Sequence, residues 1–210
     1  MSASAQQRRA VWCSRVLAVA VAVLAAGSFV GAASSRSARQ PVLHGDVVWP
    51  AAKKPAPGFR LRDEHGHLLT LKSEHGRVVL LTFMYSRCRE ICPLEGRMLA
   101  AAERRVGSSS RAVLLVVSVD PGGDTPTTIR RFIRRSGLAG SRWHWLVGKR
   151  SQLAPVWRAY RIEVRAGRNI GHSTALYLLD RRGYERSGYA VPFLPRFVAD
   201  DVRTLAREAG

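Results

Sequence analysis

Two nearly continuous apolar runs constrain the fold of this chain more than any other feature. Arg77 to Tyr85 (RVVLLTFMY) and Ala112 to Val119 (AVLLVVSV) are rich in branched aliphatic residues, the pattern of strands buried on both faces. Between them Leu94, Met98, Leu99, Ala102 and Val106 recur at helical spacing and Gly107 follows, so Pro93 to Val106 reads as a helix with a glycine stop. Strand, helix and strand in that order make a right-handed parallel crossover. The loops after Tyr85 and Val119 then leave the same edge of the sheet, where open α/β folds place ligands.

Further elements extend this unit. Phe59 to Arg62 and Leu68 to Leu71 alternate across Asp63-Glu64-His65-Gly66-His67, as a hairpin does. Thr125 as N-cap and Pro126 at the first helical position open a second helix that runs to Ser136. Trp143 to Val147 reads as a third parallel strand and Ser151 to Tyr160 as a helix. Thr174 to Asp180 and Tyr184 to Tyr189 form strands around an Arg181-Arg182-Gly183 turn, and Pro195 to Glu208 closes the chain as a helix. Parallel units followed by an antiparallel hairpin and a last helix give an α/β fold, a thioredoxin-like sandwich with an N-terminal β-hairpin.

Residues 1–39 read as a signal or membrane-anchor segment. Five Arg (Arg8, Arg9, Arg15, Arg36, Arg39) and no acid surround an apolar or small-residue run from Val16 to Ala33. Cleavage would use a small-residue site such as Val30-Gly31-Ala32. An uncleaved anchor takes about 20 apolar residues, and this run falls just short of that. The expectation is a single-pass bacterial membrane protein with its domain on the extracytoplasmic side. Residues 40–58, with Pro41, Pro50, Pro55 and Pro57, read as a Pro/Ala-rich linker, and residues 59–210 as the folded domain.

The net charge of +19 comes from 30 Arg and 4 Lys against 15 acids, spread over every segment. Without a recognition helix, an aromatic platform interleaved with the Arg or a zinc-finger spacing, it does not define a nucleic-acid surface. It suits docking on an anionic membrane or an acidic partner.

Cysteine usage sharpens the function. Cys13 precedes the apolar run and reads as an ordinary thiol at the cytoplasmic boundary. Only Cys88 and Cys92, in Tyr85-Ser86-Arg87-Cys88-Arg89-Glu90-Ile91-Cys92-Pro93, travel with the domain. In an exported protein such a pair is a structural disulfide, a redox couple or a metal site. A bridge between residues four apart removes little chain entropy, so stability is a poor reason for it. The bland alternative is two small buried hydrophobes. Pro93 suits a first helical turn and places Cys92 at the N-cap, where the helix dipole, with Arg87 and Arg89, lowers its pKa below about 8.5.

His172, in Gly171-His172-Ser173-Thr174, begins the strand that follows and supplies an imidazole. Thioredoxin-type redox proteins present a cis-proline loop at that place, and here no proline precedes Thr174. Two thiolates and an imidazole suit copper as Cu(I) and as Cu(II). His44, His75 and His144 read as structural or solvated, and so do His65 and His67, which also form a remote candidate for a second metal site. Asp120 reads as a loop residue. Asp124 shares the bland reading of an Asp near a helix N-terminus and is also a candidate to sit beside the metal ligands, orienting His172 or complementing the Arg next to the cysteines.

Three stretches together resemble the Sco/SenC family of membrane-anchored copper proteins: Val79 to Pro93, the run Val117 to Pro126 (VSVDPGGDTP), and Gly171 to Thr174 continuing through Tyr177-Leu178-Leu179-Asp180. The likeness spans Phe59 to Leu205. It implies a thioredoxin-like fold, copper bound by Cys88, Cys92 and His172, and delivery of copper or electrons to the binuclear copper centre of cytochrome c oxidase. One position departs: the family usually has Pro directly after the first Cys, and this chain has Arg89.

Three functional classes follow. The leading one is a copper metallochaperone, not an enzyme, whose recipient is the copper-site subunit of cytochrome c oxidase or another copper protein. The second is a thiol-disulfide oxidoreductase using Cys88 and Cys92 as the couple. Peroxidase chemistry is the third. His172 separates the first two, since a metal site needs it and disulfide exchange does not.

Overall fold

Branched aliphatic runs and capped helices become fourteen elements in the computed structural model, which describes residues 42–107, 111–140, 142–165, 167 and 170–208. The strands of the first half are β1 (Val47–Val48), β2 (Arg60–Arg62), β3 (Leu68–Thr70), β4 (Val78–Met84) and β5 (Ala112–Ser118). Those of the second half are β6 (Trp143–Leu146), β7 (Val164–Arg165), β8 (Gly171–His172), β9 (Leu176–Leu179) and β10 (Glu185–Tyr189). Helices α1 (Ile91–Val106), α2 (Pro126–Arg135), α3 (Arg150–Ala159) and α4 (Pro195–Arg207) connect them, with a short 3-10 turn at Leu71–Glu74.

The main sheet has six strands in the order β1-β10-β9-β4-β5-β6. β4 pairs in parallel with β5, and β5 with β6, while β9 runs antiparallel to both β4 and β10. Every residue of β4 is buried. Its alternate side chains feed two cores, because successive residues of a strand face opposite sides. Val78, Leu80 and Met84 meet Leu99 of α1, Phe132 of α2 and Val198 of α4 on one face. Val79, Leu81 and Phe83 meet Leu153 and Trp157 of α3 and the β2–β3 hairpin on the other. This thioredoxin-like sandwich is the architecture the sequence predicted.

Capping follows composition. Thr125 and Thr128 form a reciprocal cap on α2 with Pro126 in its first turn, as expected. Gly107 ends α1 at φ 86°, a left-handed value that glycine adopts without strain.

Three expectations are corrected. Residues from Leu43 onward are not a free linker: Leu43 is buried in the core, β1 pairs with β10, Pro55 bridges Tyr184, and Tyr160 donates its hydroxyl to the Pro57 carbonyl at 2.8 Å. The Pro/Ala composition hid this, because an open sheet edge recruits backbone groups whatever their side chains. α1 starts at Ile91, two residues before Pro93. His172 lies on β8 of a separate two-stranded ribbon with β7, rather than at the head of β9. The expected anchor, residues 1–39, lies outside the described residues. Among those described, no helix is long and apolar enough to cross a membrane.

Candidate metal centre

The loop between β4 and α1 carries both cysteines, and three contacts hold it over the sheet edge. Cys88 N–H donates to the Tyr85 carbonyl at 3.2 Å. Ser86 N–H donates to Asp124 Oδ1 at 2.7 Å. Arg135, in the last turn of α2, donates through Nη2 to the Ser86 and Cys88 carbonyls at 2.8 and 3.3 Å.

Both thiols are free and buried. α1 has Glu90 as its N-cap residue, and no side-chain oxygen caps it. Instead Cys92 N–H donates to Cys88 Sγ at 3.5 Å, so a sulfur occupies the place of a capping oxygen. The thiolate-favouring field expected at Cys92 therefore falls on Cys88. Cys88 is drawn down to about 5, first by the Cys92 thiol donating to it and then by the Cys92 and Glu90 amides, with help from Tyr85. Cys92 moves up, because ionisation would cost it the bond to Cys88 and because it is buried. Burial, then the neighbouring Cys88, pushes the Tyr85 hydroxyl up to about 12.

The ribbon β7–β8 carries His172 to the same place. Its Nδ1 lies 3.0 Å from the Ser173 carbonyl oxygen, which can only accept, so Nδ1 holds the proton. Nε2 therefore keeps its lone pair, and it stands 3.8 Å from Cys92 Sγ. Tyr85 packs edge-on against the ring at 5.8 Å and 76°. Burial holds His172 below its ordinary pKa, which keeps the imidazole neutral and able to ligate. The three predicted ligands are thus neighbours, drawn from a loop, a helix start and a ribbon.

The two Asp residues differ from expectation: Asp124 holds the cysteine loop rather than His172 or an Arg, and Asp120 takes the Arg. Asp124 touches neither His172 nor an Arg directly. Its Oδ1 takes the Ser86 amide, and its Oδ2 takes the Ser118 hydroxyl at 2.6 Å and the Trp145 indole at 3.0 Å. Burial pushes Asp124 up, and these donors pull it back only in part. Asp120, read from sequence as a loop residue, accepts from Arg87 through Nε at 3.1 Å and Nη2 at 2.7 Å. The site opens into a cleft of about 1000 Å³ whose lining includes Arg87, Arg89, Arg150, Ile91 and His172.

Glu95 was missed. It is fully buried in α1, takes the Thr82 hydroxyl on one oxygen and leaves Oε2 without a partner. Burial pushes its pKa up to about 8. The signal was present in the sequence, since Glu95 falls between Cys92 and Leu99 on the apolar stripe of the helix.

A parallel-centred sheet with two thiols at a strand-to-helix turn and a lone-pair imidazole facing them defines a thioredoxin-like protein whose site is built from soft and borderline metal donors. Residues 50–207 match the SCO1/SenC family, and the chain belongs to that family. It is 29% identical over 157 residues to the protein SCO2 homolog, mitochondrial, of Bos taurus, covering 69% of this chain and 57% of that one. It is 30% identical over 152 residues to protein SenC of Rhodobacter capsulatus, covering 69% and 67%. The chain thus spans little more than half of the bovine relative. The structure of Bradyrhizobium japonicum ScoI with copper bound superposes with a TM-score of 0.63 at 25% identity, covering 72% of this chain and 99% of that one.

Proposed function

We propose that this chain binds copper through Cys88, Cys92 and His172 and passes it to another copper protein. The observation that carries this reading is the His172 Nε2 lone pair facing Cys92 Sγ at 3.8 Å, with the other ring nitrogen tied to Ser173. A thiol couple working alone has no use for a neutral, oriented imidazole. The donor set fits copper: thiolate sulfur favours Cu(I) and imidazole nitrogen tolerates Cu(II). A copper-bound relative of the same fold supports it.

Each residue has a part. Cys88 offers a thiolate, Cys92 a thiol that must lose its proton, and His172 a neutral nitrogen already turned inward. The Arg87–Asp120 pair and Arg135 hold the loop, and Arg135 adds positive charge to it. Exposed Arg89 adds to that charge. The recipient is the copper-site subunit of cytochrome c oxidase, as the family resemblance implies, and the domain works outside the cytoplasm on an N-terminal anchor formed by residues 1–39.

The test is anaerobic Cu(I) titration of the reduced chain against a chromophoric chelator, with Cu(II) spectra in parallel. One equivalent should bind, with His172→Ala lowering affinity at least about tenfold while thiol-disulfide exchange persists. A second reading, a thiol-disulfide oxidoreductase, is favoured by the split between a thiolate-prone Cys88 and a protonated Cys92. It wins if exchange is the activity found and copper fails to bind below micromolar concentration.

A further inference from the structure

The turn between β2 and β3 brings together a second group of metal-type donors that shares no residue with the cysteine site. Asp63 and Glu64 are 4% and 9% exposed, side by side in the chain. One oxygen of each is anchored by backbone amides. Asp63 Oδ1 accepts from His65 N–H at 2.9 Å and His67 N–H at 2.8 Å, and Glu64 Oε2 accepts from Trp145 N–H at 2.8 Å.

The remaining oxygens face imidazoles. Asp63 Oδ2 lies 3.4 Å from His67 Nδ1 and 3.6 Å from His144 Nδ1, and Glu64 Oε1 lies 3.2 Å from His65 Nε2. His144 Nδ1 is buried and has no hydrogen-bond partner. Ligand atoms of Asp63, Glu64 and His144 all fall within 4.8 Å of one another. The Asp63 separations are long for hydrogen bonds. They match instead the edge of a coordination shell, because two atoms each about 2.0–2.1 Å from a tetrahedral ion stand about 3.3 Å apart.

Charge points the same way. Among the described residues, the ion-pair partners of these two buried carboxylates are all histidines, none of them a permanent cation. Two adjacent buried anions without a fixed positive charge are costly, and a bound cation removes that cost.

We propose that Asp63, Glu64 and His144, completed by His67, form a second site for a borderline divalent transition ion of the Zn²⁺ type. Imidazole and carboxylate select such an ion, whereas Cu(I) belongs with the thiolates, so ligand chemistry keeps the two sites apart. The ligands come from the hairpin turn and from β6, which already meet through the Trp145 amide on Glu64 and the bridge between Arg62 and Val147. An ion there cross-links the hairpin to the open edge of the main sheet.

The experiment uses the full chain with Cys13, Cys88 and Cys92 changed to Ser and His172 to Ala, so that the cysteine site is silent. Co²⁺ absorption spectra and Zn²⁺ competition against a chromogenic chelator should show one ion bound, together with slowed hydrogen exchange in β2 and β3. His67→Gln, on a largely exposed ring, and His144→Gln should each weaken binding about tenfold or more with the circular dichroism unchanged. Absence of stoichiometric Co²⁺ or Zn²⁺ uptake overturns the site, and so does uptake that survives undiminished in the His67→Gln chain and in the His144→Gln chain.

Discussion

The Cys92 backbone amide donates to the sulfur of Cys88 across 3.5 Å, so the first cysteine caps the helix whose first turn holds the second. That bond adds to a larger one, the Cys92 thiol donating to Cys88, and together with the burial of Cys92 they make the two thiols unequal. Cys88 is drawn down to about 5 while Cys92 rises, and the reduced pair carries one proton at neutral pH.

Copper(I) binding near pH 7 should therefore release about one proton, the one on Cys92, since a ligating thiol must be ionised and Cys88 already is. Calorimetry in buffers of different ionisation enthalpy counts it. Release of two protons would contradict the shared-proton pair. Cys92→Ala should raise the Cys88 pKa towards its ordinary value, by removal of its largest stabiliser, as read from thiolate absorbance against pH.

Glu95 sets a pH dependence of stability. Its pKa is raised from 4.5 to about 8 in the folded chain, so between those values the folded state holds a proton that the unfolded state has lost. Stability falls as pH rises through this window and is unpenalised below it. Glu95→Gln should flatten the slope and stabilise the protein at pH above 8 by roughly 3–5 kcal/mol. Equal denaturant midpoints for the two proteins at pH 5 and at pH 9 would refute this.

Asp124 holds the cysteine loop to β5 and β6 through Ser86, Ser118 and Trp145. Asp124→Ala strands three buried donors and should cost about 3–5 kcal/mol. Asp124→Asn keeps the shape and should cost less. Copper affinity should fall together with stability, because the loop loses its tether; a destabilised Asp124→Ala chain that binds copper at full strength would show that the loop is held by other means.

Gly123 lies under the Arg87–Asp120 pair, and a Cβ there would collide with Asp120 Oδ2 and Arg87 Nε. Gly123→Ala should break the pair. Arg87 is more than half exposed, so global stability should drop by at most about 1 kcal/mol. The change to look for is a steeper salt dependence of docking to an acidic partner, as Arg87 is released into the cleft. Unaltered salt dependence would mean that the pair does not restrain Arg87.

The order of strands and helices was legible because β4 and β5 are apolar but for Thr82 and Ser118 and α2 carries Thr125, Pro126 and Thr128 at its start. Such patterns are local, and burial on both faces of a strand leaves few polar positions to obscure them. The candidate set Cys88, Cys92 and His172, which the fold brings together, stood out in the sequence for a related reason: metal-type residues are rare, and three short motifs frame them. The docking of residues from Leu43 onward was not, because a sheet edge pairs with backbone, and backbone leaves no trace in composition.

What the amino-acid sequence determined by itself was which side chains could bind and that one sheet edge would gather their loops. Tertiary structure alone decided which thiol ionises, that Asp120 rather than Asp124 pairs with Arg87, that Glu95 sits beneath the site with one oxygen unpartnered, and that His144 lies beside Asp63 and Glu64. Each of those outcomes depends on distances of a few ångströms between residues far apart in the chain. Electrostatic and hydrogen-bond energies are fixed at that scale, and no spacing along the sequence encodes it.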